Sequence, residues 1–279
     1  MSTLTRYKVA AVQMETGPEV SANLDQAAMH IESAAQQGAK LIALPEFFAL
    51  MGNSPQDAVK IREPSGNGPI QEFLSLQAAS HSVWIVGGSI PMRANHPDKF
   101  LAASLLFDDR GRQVARYDKI HLFDVTVNDD KRHYRESQTA SPGSQAVVVD
   151  TPFGRLGLSV CYDIRFPELY RQLSAKGMDV LMLPSAFTAV TGAAHWDVLL
   201  RARAIENLCY VVAPAQQGHH ANGRETYGDS MIVDPWGSVL ARLPTGQGIV
   251  VHEIDLETIR AIRNDFPVLE HIRVGFNPI

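Results

Sequence analysis

Two stretches of this chain share one pattern: Ala35-Gln-Gln-Gly-Ala-Lys-Leu-Ile-Ala-Leu-Pro-Glu46 and Ser174-Ala-Lys-Gly-Met-Asp-Val-Leu-Met-Leu-Pro-Ser185. Each reads as a helix end, a glycine, two residues, an apolar run of four that ends in leucine, and a proline. The glycine suits the left-handed cap that ends many helices, and the apolar run suits a strand buried on both faces. The repeat therefore predicts two halves related by pseudo-symmetry, with their sheets packed face to face under outer helices.

The segments around the repeat alternate between strand-like and helix-like patterns, which predicts βαβ units and a layered α/β fold. Predicted strands cover residues 7–14, 39–44 and 83–90, and predicted helices cover residues 23–37 and 71–81. Apolar runs joined by Asp, Pro or Gly predict hairpins at residues 105–115, 147–157 and 231–240.

No linker rich in Pro, Gly or Ser separates the two halves of the chain. We therefore expect one domain over residues 1–279, with a core at about 6–260 and a carboxyl-terminal tail at 261–279. Within this tail, residues 266–279 are more apolar than is usual for an exposed chain end.

The composition excludes several classes of protein. The 279 residues are 45% hydrophobic and 20% charged, which is ordinary for a folded protein with a sizeable core. A net charge of −5 argues against a nucleic-acid surface, and no apolar run approaches the roughly 20 residues that span a bilayer. The amino terminus lacks an apolar signal core, and Cys161 and Cys209 are too few for a disulfide scaffold. We therefore expect a cytoplasmic protein with reduced thiols and with neither nucleic acid nor membrane as partner.

Cys161 stands where an apolar strand pattern ends, in Arg155-Leu-Gly-Leu-Ser-Val-Cys-Tyr-Asp-Ile-Arg-Phe-Pro-Glu168. A thiol at the end of a strand, beside the backbone N–H groups of a following turn, suits nucleophilic attack on an acyl group. A thiol that only fills core is the commoner fate of a free cysteine, so this stretch alone leaves both interpretations open. A thiol redox role needs a resolving cysteine, and the apolar strand pattern around Cys209 argues against it.

The sequence lacks the motifs that are typical of cofactor and metal sites. Residues 223–230 have the spacing of a phosphate-binding loop, but Asp229 stands where that loop needs a lysine. No His-Glu-x-x-His helix, paired Cys-x-x-Cys or Gly-x-Ser-x-Gly motif occurs. The pair His219-His220 reads as part of a solvated turn. We expect neither a metal nor a cofactor.

Three further polar residues are ambiguous one by one. Glu46 directly follows Leu44-Pro45, so its carboxylate either points from the sheet edge into a crevice or is solvated. Lys119 has apolar neighbours that would desolvate it, and a structural ion pair is the usual reason for such a lysine. Glu136 lies in a polar stretch that also reads as an exposed loop.

Together these residues form an ordered set. Pro45-Glu46, Tyr117-Asp-Lys-Ile-His-Leu-Phe123, Glu136-Ser137 and Cys161-Tyr-Asp163 occur in the order Glu, Lys, Glu, Cys. From end to end the chain resembles the nitrilase superfamily of carbon–nitrogen hydrolases, and the run from Cys161 to Leu169 resembles its amidase branch rather than the true nitrilases. Within that branch it is most similar to the group that acts on deaminated glutathione, with the ω-amidases next. The resemblance implies a four-layer α-β-β-α sandwich of the nitrilase type.

The resemblance also implies roles for the ordered set. Cys161 is expected to be the nucleophile, Glu46 the general base and acid, and Lys119 the stabiliser of the oxyanion. The backbone N–H of Tyr162 is expected to be a second oxyanion donor. Glu136 resembles the second glutamate of the superfamily, which positions Lys119.

The expected substrate is a small-molecule amide that is cleaved through a cysteine thioester. The group resemblance leaves open 2-oxoglutaramate or an N-carbamoyl amino acid as the substrate. A second hypothesis, from a different class of function, is that the chain is a non-catalytic binding protein of the same fold. That alternative expects a lost catalytic position, whereas Glu46, Lys119 and Cys161 are all present.

Weaker candidates for substrate binding are Arg165, Ser185, Phe187 and His195. Asp163 and Arg165 are expected to pair around the nucleophile turn. A basic cluster of Lys131, Arg132 and Arg135 reads as a solvated loop or as a rim that steers an anionic substrate.

The resemblance further implies a homodimer or a larger homo-oligomer. Its subunits are expected to meet through helices beside the nucleophile turn. The apolar residues 266–279 are expected to pack across such an interface.

Overall fold

The fold is seen in a computed structural model, which describes residues 4–129 and 133–274. The strands are β1 (Arg6–Gln13), β2 (Ala39–Ala43), β3 (Trp84–Val86), β4 (Ile90–Arg93), β5 (Phe100–Phe107), β6 (Gln113–Asp118), β7 (Asp124–Thr126), β8 (His133–Arg135), β9 (Val147–Thr151), β10 (Gly154–Leu158), β11 (Val180–Met182), β12 (Tyr210–Ala213), β13 (Gln217–His219), β14 (Glu225–Tyr227), β15 (Ser230–Val233), β16 (Val239–Leu243) and β17 (Gly248–Asp255). The α-helices are α1 (Val20–Gln36), α2 (Pro55–Lys60), α3 (Pro69–His81), α4 (Pro167–Ala175), α5 (Ala189–Asn207) and α6 (Leu256–Asp265). Short 3₁₀ helices cover Glu136–Gln138, Cys161–Arg165 and Val268–His271.

Two sheets form the body of the protein. The first has the order β17-β1-β2-β3-β5-β4, with β6 also paired to β5, and the second has the order β16-β15-β12-β11-β10-β9. Each has three parallel strands at its centre, β1-β2-β3 in the first and β10-β11-β12 in the second. The remaining pairings are antiparallel at the margins, as the hairpin patterns predict.

Each copy of the repeat forms the same unit. The first copy ends α1 and forms β2, and the second ends α4 and forms β11, so both provide the central strand of a parallel trio. Gly38 and Gly177 adopt positive φ angles of 86° and 82° where the two helices end. The predicted pseudo-symmetry is therefore present in the strand and helix order.

The two sheets pack face to face. One buried cluster joins Val9 and Leu41 of the first sheet to Leu156 and Val211 of the second. Helices α1 and α3 cover the outer face of the first sheet, and α4 and α5 cover that of the second. The order of layers is helix, sheet, sheet, helix, which confirms the predicted four-layer α-β-β-α sandwich.

One predicted strand is wrong in a way that matters for the site. Residues 83–90 do not form one strand, because β3 ends at Val86 and β4 begins at Ile90. Gly88 between them has φ of +49°, and a Cβ there would lie 2.0 Å from the carbonyl oxygen of Pro45. Because the strand is broken there, the Pro45 carbonyl packs directly against the backbone of Gly88. Ser89 Oγ also accepts a hydrogen bond of 3.1 Å from the Phe47 N–H.

Other element predictions need smaller corrections. The predicted helices at 23–37 and 71–81 begin earlier, at Val20 and Pro69. Helix α6 continues past residue 260, and Arg263 anchors it through a 2.8 Å bond to Asp179. In the parts of the chain that the structure describes, no helix has the length and apolar character needed to cross a membrane.

Candidate active site

Four of the predicted site residues surround one cavity, near the edge where the parallel strands of both sheets end. Glu46 follows the end of β2, and Cys161 follows the end of β10. Lys119 comes directly after β6, and Glu136 begins the 3₁₀ helix after β8. All four line a cavity of about 370 Å³. The tertiary structure thus brings Glu46 and Cys161, which are more than a hundred positions apart in the chain, to one cavity.

Lys119 is held between two carboxylates. Its Nζ lies 2.8 Å from Glu46 Oε1 and 3.0 and 2.9 Å from the two carboxylate oxygens of Glu136. Lys119 and Glu46 are only 2% and 1% exposed. Glu136 Oε2 also accepts a 2.6 Å hydrogen bond from the Phe123 N–H. The solvated-loop interpretation of Glu136 is therefore wrong.

The ion cluster keeps the lysine charged. Burial by itself lowers the pKa of Lys119, but the negative charges of Glu136 and Glu46 outweigh it and raise that pKa above its ordinary value. Burial raises the pKa of Glu136, and the repulsion of Glu46 adds to this, while Lys119 opposes both. A buried ammonium is thus available as a hydrogen-bond donor at neutral pH.

The two carboxylate oxygens of Glu46 differ in their hydrogen bonding. Oε1 bonds to Lys119, whereas Oε2 is buried and has no hydrogen-bond partner among the described residues. The backbone is held as well, since Gln216 Nε2 donates a 3.0 Å bond to the Glu46 carbonyl. A fixed carboxylate with a free buried oxygen is a suitable proton acceptor.

Cys161 opens the 3₁₀ helix after β10 in a strained conformation. Its φ is +48°, a left-handed value that side chains other than glycine seldom adopt, and its N–H donates a 2.9 Å bond to the Pro184 carbonyl. Burial raises the pKa of the Cys161 thiol, and the charge of Glu46 adds to the rise, while Lys119 opposes it. The resting side chain is therefore a neutral thiol that needs a base when it reacts.

The turn at Cys161 leaves a backbone donor beside the thiol. The N–H groups at the start of a helix have no acceptor inside it. Those of Cys161 and Asp163 are used by Pro184 and Val160, whereas no acceptor within the turn takes that of Tyr162. This N–H is the group to which the resemblance assigns the second oxyanion contact.

Asp163 ties this turn to the strand that carries Lys119. Its carboxylate accepts bonds of 2.7 Å from Tyr117 Oη, 3.0 Å from the His121 N–H and 2.9 Å from the Val160 N–H. His121 Nδ1 also lies 2.7 Å from Asp163 Oδ1. The predicted pair of Asp163 with Arg165 is wrong, because the buried carboxylate is already used by groups on both sides of the lysine.

Arg165 instead reaches the cavity wall. Its guanidinium carbon lies 5.1 Å from the centre of the Phe187 ring and 5.9 Å from that of Tyr162. Its Nη1 lies 3.2 Å from Nδ1 of His195, which is exposed and stands outside the cavity lining. Arg165 and Phe187 line the cavity. Of the weaker candidates, these two reach the site.

Ser185 does not reach the cavity. Its Oγ donates a 3.1 Å bond to the Leu183 carbonyl, and the residue is fully buried outside the lining. Of the predicted basic cluster, Lys131 and Arg132 lie outside the described residues. Arg135 lines the cavity and donates to the carbonyls of Val125 and Tyr134.

The sequence interpretation missed Arg224. This residue lies in the β13–β14 hairpin, lines the cavity, and is 5.8 Å and 5.6 Å from the ring centres of Phe47 and Tyr134. The available signal was the Asn222-Gly223 turn directly before it, which predicts a hairpin but not where the hairpin lies.

His220, in the same hairpin, is not solvated as predicted. It is buried, with Nδ1 3.0 Å from the Thr16 carbonyl and Nε2 2.7 Å from Thr226 Oγ1. Burial lowers its pKa to about 4, although the bond to Thr16 opposes the shift. This histidine is therefore a neutral structural link. Among residues 4–129 and 133–274, no group of three His, Cys, Asp or Glu side chains is arranged to hold a metal ion.

Comparison with known proteins gives one consistent result. The family model described as carbon-nitrogen hydrolase matches residues 8–264. The chain is 43% identical to the deaminated glutathione amidase of Yersinia enterocolitica, over 95% of this chain and 92% of the relative. It is 44% identical to that of Synechocystis sp., over 95% and 97%.

A solved structure has the same fold. A member of branch 10 of the nitrilase superfamily from Saccharomyces cerevisiae superposes with a TM-score of 0.85 at 34% identity, over 96% of this chain and 98% of that protein. The chain therefore belongs to the carbon–nitrogen hydrolase family and is an enzyme that hydrolyses carbon–nitrogen bonds other than peptide bonds.

Proposed function

We propose that this enzyme hydrolyses the 4-oxoglutaryl amide bond of deaminated glutathione, releasing 2-oxoglutarate and cysteinylglycine. The observation that carries the proposal is the buried Lys119 between Glu46 and Glu136, in the same cavity as Cys161. The names of the two curated relatives support this substrate. The roles of the individual residues are part of the proposal.

The first half-reaction begins at the thiol. Because the pKa of Cys161 is raised by burial, Glu46 takes the proton from Sγ as the sulfur attacks the amide carbonyl. A sulfur–carbon bond forms and the carbonyl electrons move to the oxygen. Glu46 then gives the proton to the amide nitrogen, the carbon–nitrogen bond breaks, and the amine leaves. The acyl group stays on Cys161 as a thioester.

Two donors stabilise the oxyanion in this scheme. Lys119 contributes a charged N–H donor that its two carboxylate neighbours keep protonated, and Tyr162 contributes its backbone N–H. Glu136 is a positioning residue, because it holds the ammonium through both of its oxygens while itself fixed by Phe123.

The second half-reaction uses the same carboxylate. Glu46 takes a proton from a water molecule as the water oxygen attacks the thioester carbonyl. The carbon–sulfur bond then breaks, the carboxylic acid leaves, and the thiolate of Cys161 recovers the proton from Glu46. One base thus serves both steps and ends unchanged.

Arg165 is proposed to bind the carboxylate beside the keto group of the acyl portion. A guanidinium binds a carboxylate through two parallel N–H donors. Arg165 stacks near Phe187 and Tyr162 at the cavity wall and has no carboxylate within ion-pair distance among the described residues. His195 supports Arg165 from outside the cavity.

The experiment compares turnover of deaminated glutathione, 2-oxoglutaramate and N-carbamoyl amino acids by the purified protein. We expect kcat/KM to be highest for deaminated glutathione. A higher value for 2-oxoglutaramate would identify an ω-amidase, and background rates for all three would contradict the proposed substrate. Mass spectrometry of quenched reactions should detect an added 4-oxoglutaryl group on Cys161, and its absence during turnover would contradict the thioester.

We also propose that the enzyme is a homodimer or a larger homo-oligomer that associates through one apolar face. Helix α5 exposes Val198 and Ile205, and Trp236 packs edge-on against Phe266 beside it, with Trp236 60% exposed. Exposed apolar groups of this kind often mark a subunit interface. Light scattering should give at least twice the chain mass, and Val198→Asp should reduce it, whereas a wild-type monomer would contradict the proposal.

Residues 1–279 are proposed to form one domain in the cytoplasm. The shared core of the two sheets supports a single cooperative unit, and the two free, buried cysteines suit a reducing compartment. A single calorimetric transition and recovery in the soluble cytoplasmic fraction are expected. Two separate transitions, or recovery in a secreted fraction, would contradict these points.

A further inference from the structure

Arg224 is a half-buried cation on the wall of the cavity. Its side chain lines the cavity, and among the described residues no carboxylate lies within ion-pair distance of it. One Nη donates to the Ala186 carbonyl, while Nε is buried and has no acceptor in the described part of the chain. By contrast, Arg242 and Arg263 are held by Asp229 and Asp179. A cation left in this state has free donor capacity for an anion from outside the chain.

Arg224 and Arg165, two of the arginines that line the cavity, contact opposite ends of a row of rings. The Tyr134 ring lies 5.1 Å from that of Phe123, which lies 5.0 Å from that of Tyr162. Arg224 is over the Tyr134 end of this row, and Arg165 is over the Tyr162 end. A ligand that lies along the row therefore meets a guanidinium at each end.

Arg224 lies beside Phe47, the residue that follows the proposed general base. In the proposed mechanism Glu46 gives its proton to the leaving nitrogen, so the amine leaves past Glu46. Phe47 directly follows Glu46, and the Arg224 guanidinium lies 5.8 Å from its ring centre. Arg165 lies on the nucleophile turn beyond Tyr162, and in the proposed mechanism it binds the acyl portion.

The hairpin that carries Arg224 is firmly seated. The Asn222 side chain donates a 3.0 Å bond to the Gly52 carbonyl, and the Tyr227 N–H donates a 3.0 Å bond to the Phe187 carbonyl. Replacing Arg224 with a residue that has a neutral side chain should therefore leave the conformation of the hairpin unchanged.

We infer that Arg224 is a specificity-determining residue that binds a carboxylate on the amine portion of the substrate. This inference rests on the proposed function, in which the glycine carboxylate of cysteinylglycine is that group. It also sets a substrate class, namely amides with one carboxylate on each side of the bond that breaks. Small amides that release ammonia offer Arg224 nothing to bind.

The experiment measures kcat/KM for two substrates that differ only at the glycine end. One is deaminated glutathione, and the other is its glycinamide analogue, which lacks the terminal carboxylate. A charge-assisted hydrogen bond predicts that the wild type prefers the acid by about 10- to 100-fold. Arg224→Gln should lower kcat/KM for the acid by about that factor, leave the amide unchanged, and bring the ratio near one.

Two variants serve as comparison. Arg165→Gln should lower both rates by the same factor, because the keto-acid carboxylate is common to both substrates. Arg155→Gln removes an exposed arginine that pairs with Asp150 away from the cavity and should change neither rate.

The outcomes separate the inference from the proposed function. If Arg224→Gln lowers both rates equally, Arg224 is only structural and the inference is overturned while the proposed function stands. If the wild type turns over neither substrate, the proposed function fails and the inference fails with it. If Arg224→Gln does not fold, Arg224→Lys decides: a reduced acid-to-amide ratio supports the inference, and an unchanged ratio overturns it.

Discussion

The strands β2 and β11 are both followed by a leucine-proline pair, but the next side chain is a carboxylate in one case and a hydroxyl in the other. After β2, Glu46 turns into the cavity and bonds to Lys119 at 2.8 Å. After β11, Ser185 turns away and donates its hydroxyl to the Leu183 carbonyl. The repeat thus builds two similar edges, and the site depends on how they differ. The first half provides the ion cluster of Glu46, Lys119 and Glu136, and the second half provides the thiol.

This division has a physical use. A thiol and a carboxylate on neighbouring positions of one strand point to opposite faces of its sheet. When each lies at the edge of a different sheet, both can face one cavity from opposite walls. Hydrogen bonds also join the two halves, since the Asp163 carboxylate of the second half accepts from Tyr117 Oη and from the His121 N–H of the first.

The largest expected effect comes from removing the contribution of the second half. Cys161→Ala should lower kcat by about 10⁴-fold or more, because no thioester forms. Cys209→Ala is the matched control, since this thiol is also buried and its pKa is raised by burial to about 12. It should lower the free energy of unfolding by about 1–2 kcal/mol and leave kcat unchanged. Steady-state kinetics with circular dichroism would check both, and activity retained in Cys161→Ala would refute the mechanism.

The next effect compares the two strand ends directly. Glu46→Gln should lower kcat by about 10²- to 10⁴-fold, since an amide cannot carry the proton in either half-reaction. Ser185→Ala removes the hydroxyl at the corresponding position and should cost about 1 kcal/mol of stability with kcat nearly unchanged. Kinetics at saturating substrate would test the pair. Equal losses of kcat would mean that the two ends are equivalent, contrary to the structure.

A smaller effect concerns His220, which links Thr16 of the first half to Thr226 of the second. Burial lowers its pKa to about 4, so below its ordinary pKa of 6.5 the unfolded chain binds a proton that the folded chain does not. Stability should therefore fall as pH drops from about 6.5 to about 4, by up to about 3 kcal/mol from this group. Urea unfolding across that range would measure it.

The control for this pH dependence is its exposed neighbour. His220→Gln should flatten the fall in unfolding free energy below pH 6.5, whereas His219→Gln should leave the fall as in the wild type. If both variants keep the full slope, His220 is not the group responsible.

The smallest effect tests the tie between the halves at Asp163. Tyr117→Phe removes a 2.7 Å hydrogen bond to the buried carboxylate and should lower the unfolding free energy by about 1–2 kcal/mol and also reduce kcat. Tyr210→Phe loses a 3.2 Å bond to the Asp255 carbonyl outside the cavity, so it should reduce stability alone. An unchanged kcat in Tyr117→Phe would show that the tie does not position Cys161.

The predictions from sequence succeeded where a local pattern carries the information. Hydrophobic runs and turn residues located both parallel trios and the hairpins, because burial and backbone geometry act over a few residues. They failed at residues 83–90, where the close approach of Pro45 to Gly88 breaks the strand. That contact joins positions that are distant in the chain, and no local pattern encodes it.

The site divides in the same way. The order of Glu46, Lys119, Glu136 and Cys161 is visible in the sequence, but Asp163 was assigned the wrong partner and Arg224 was missed. Both errors concern side chains whose neighbours come from other elements: Tyr117 and His121 in one case, Phe47 and Tyr134 in the other.

The sequence by itself predicted the sandwich through its internal repeat and the family through the order of its motifs. The nucleophile role of Cys161 is what that family resemblance implies. Only the tertiary structure decided that Lys119 lies between two carboxylates. It also decided that, among the described residues, Glu46 Oε2 has no hydrogen-bond partner and Arg224 has no carboxylate partner. The reason is that burial and charge are properties of all the groups around an atom, and most of those groups arrive from distant parts of the chain.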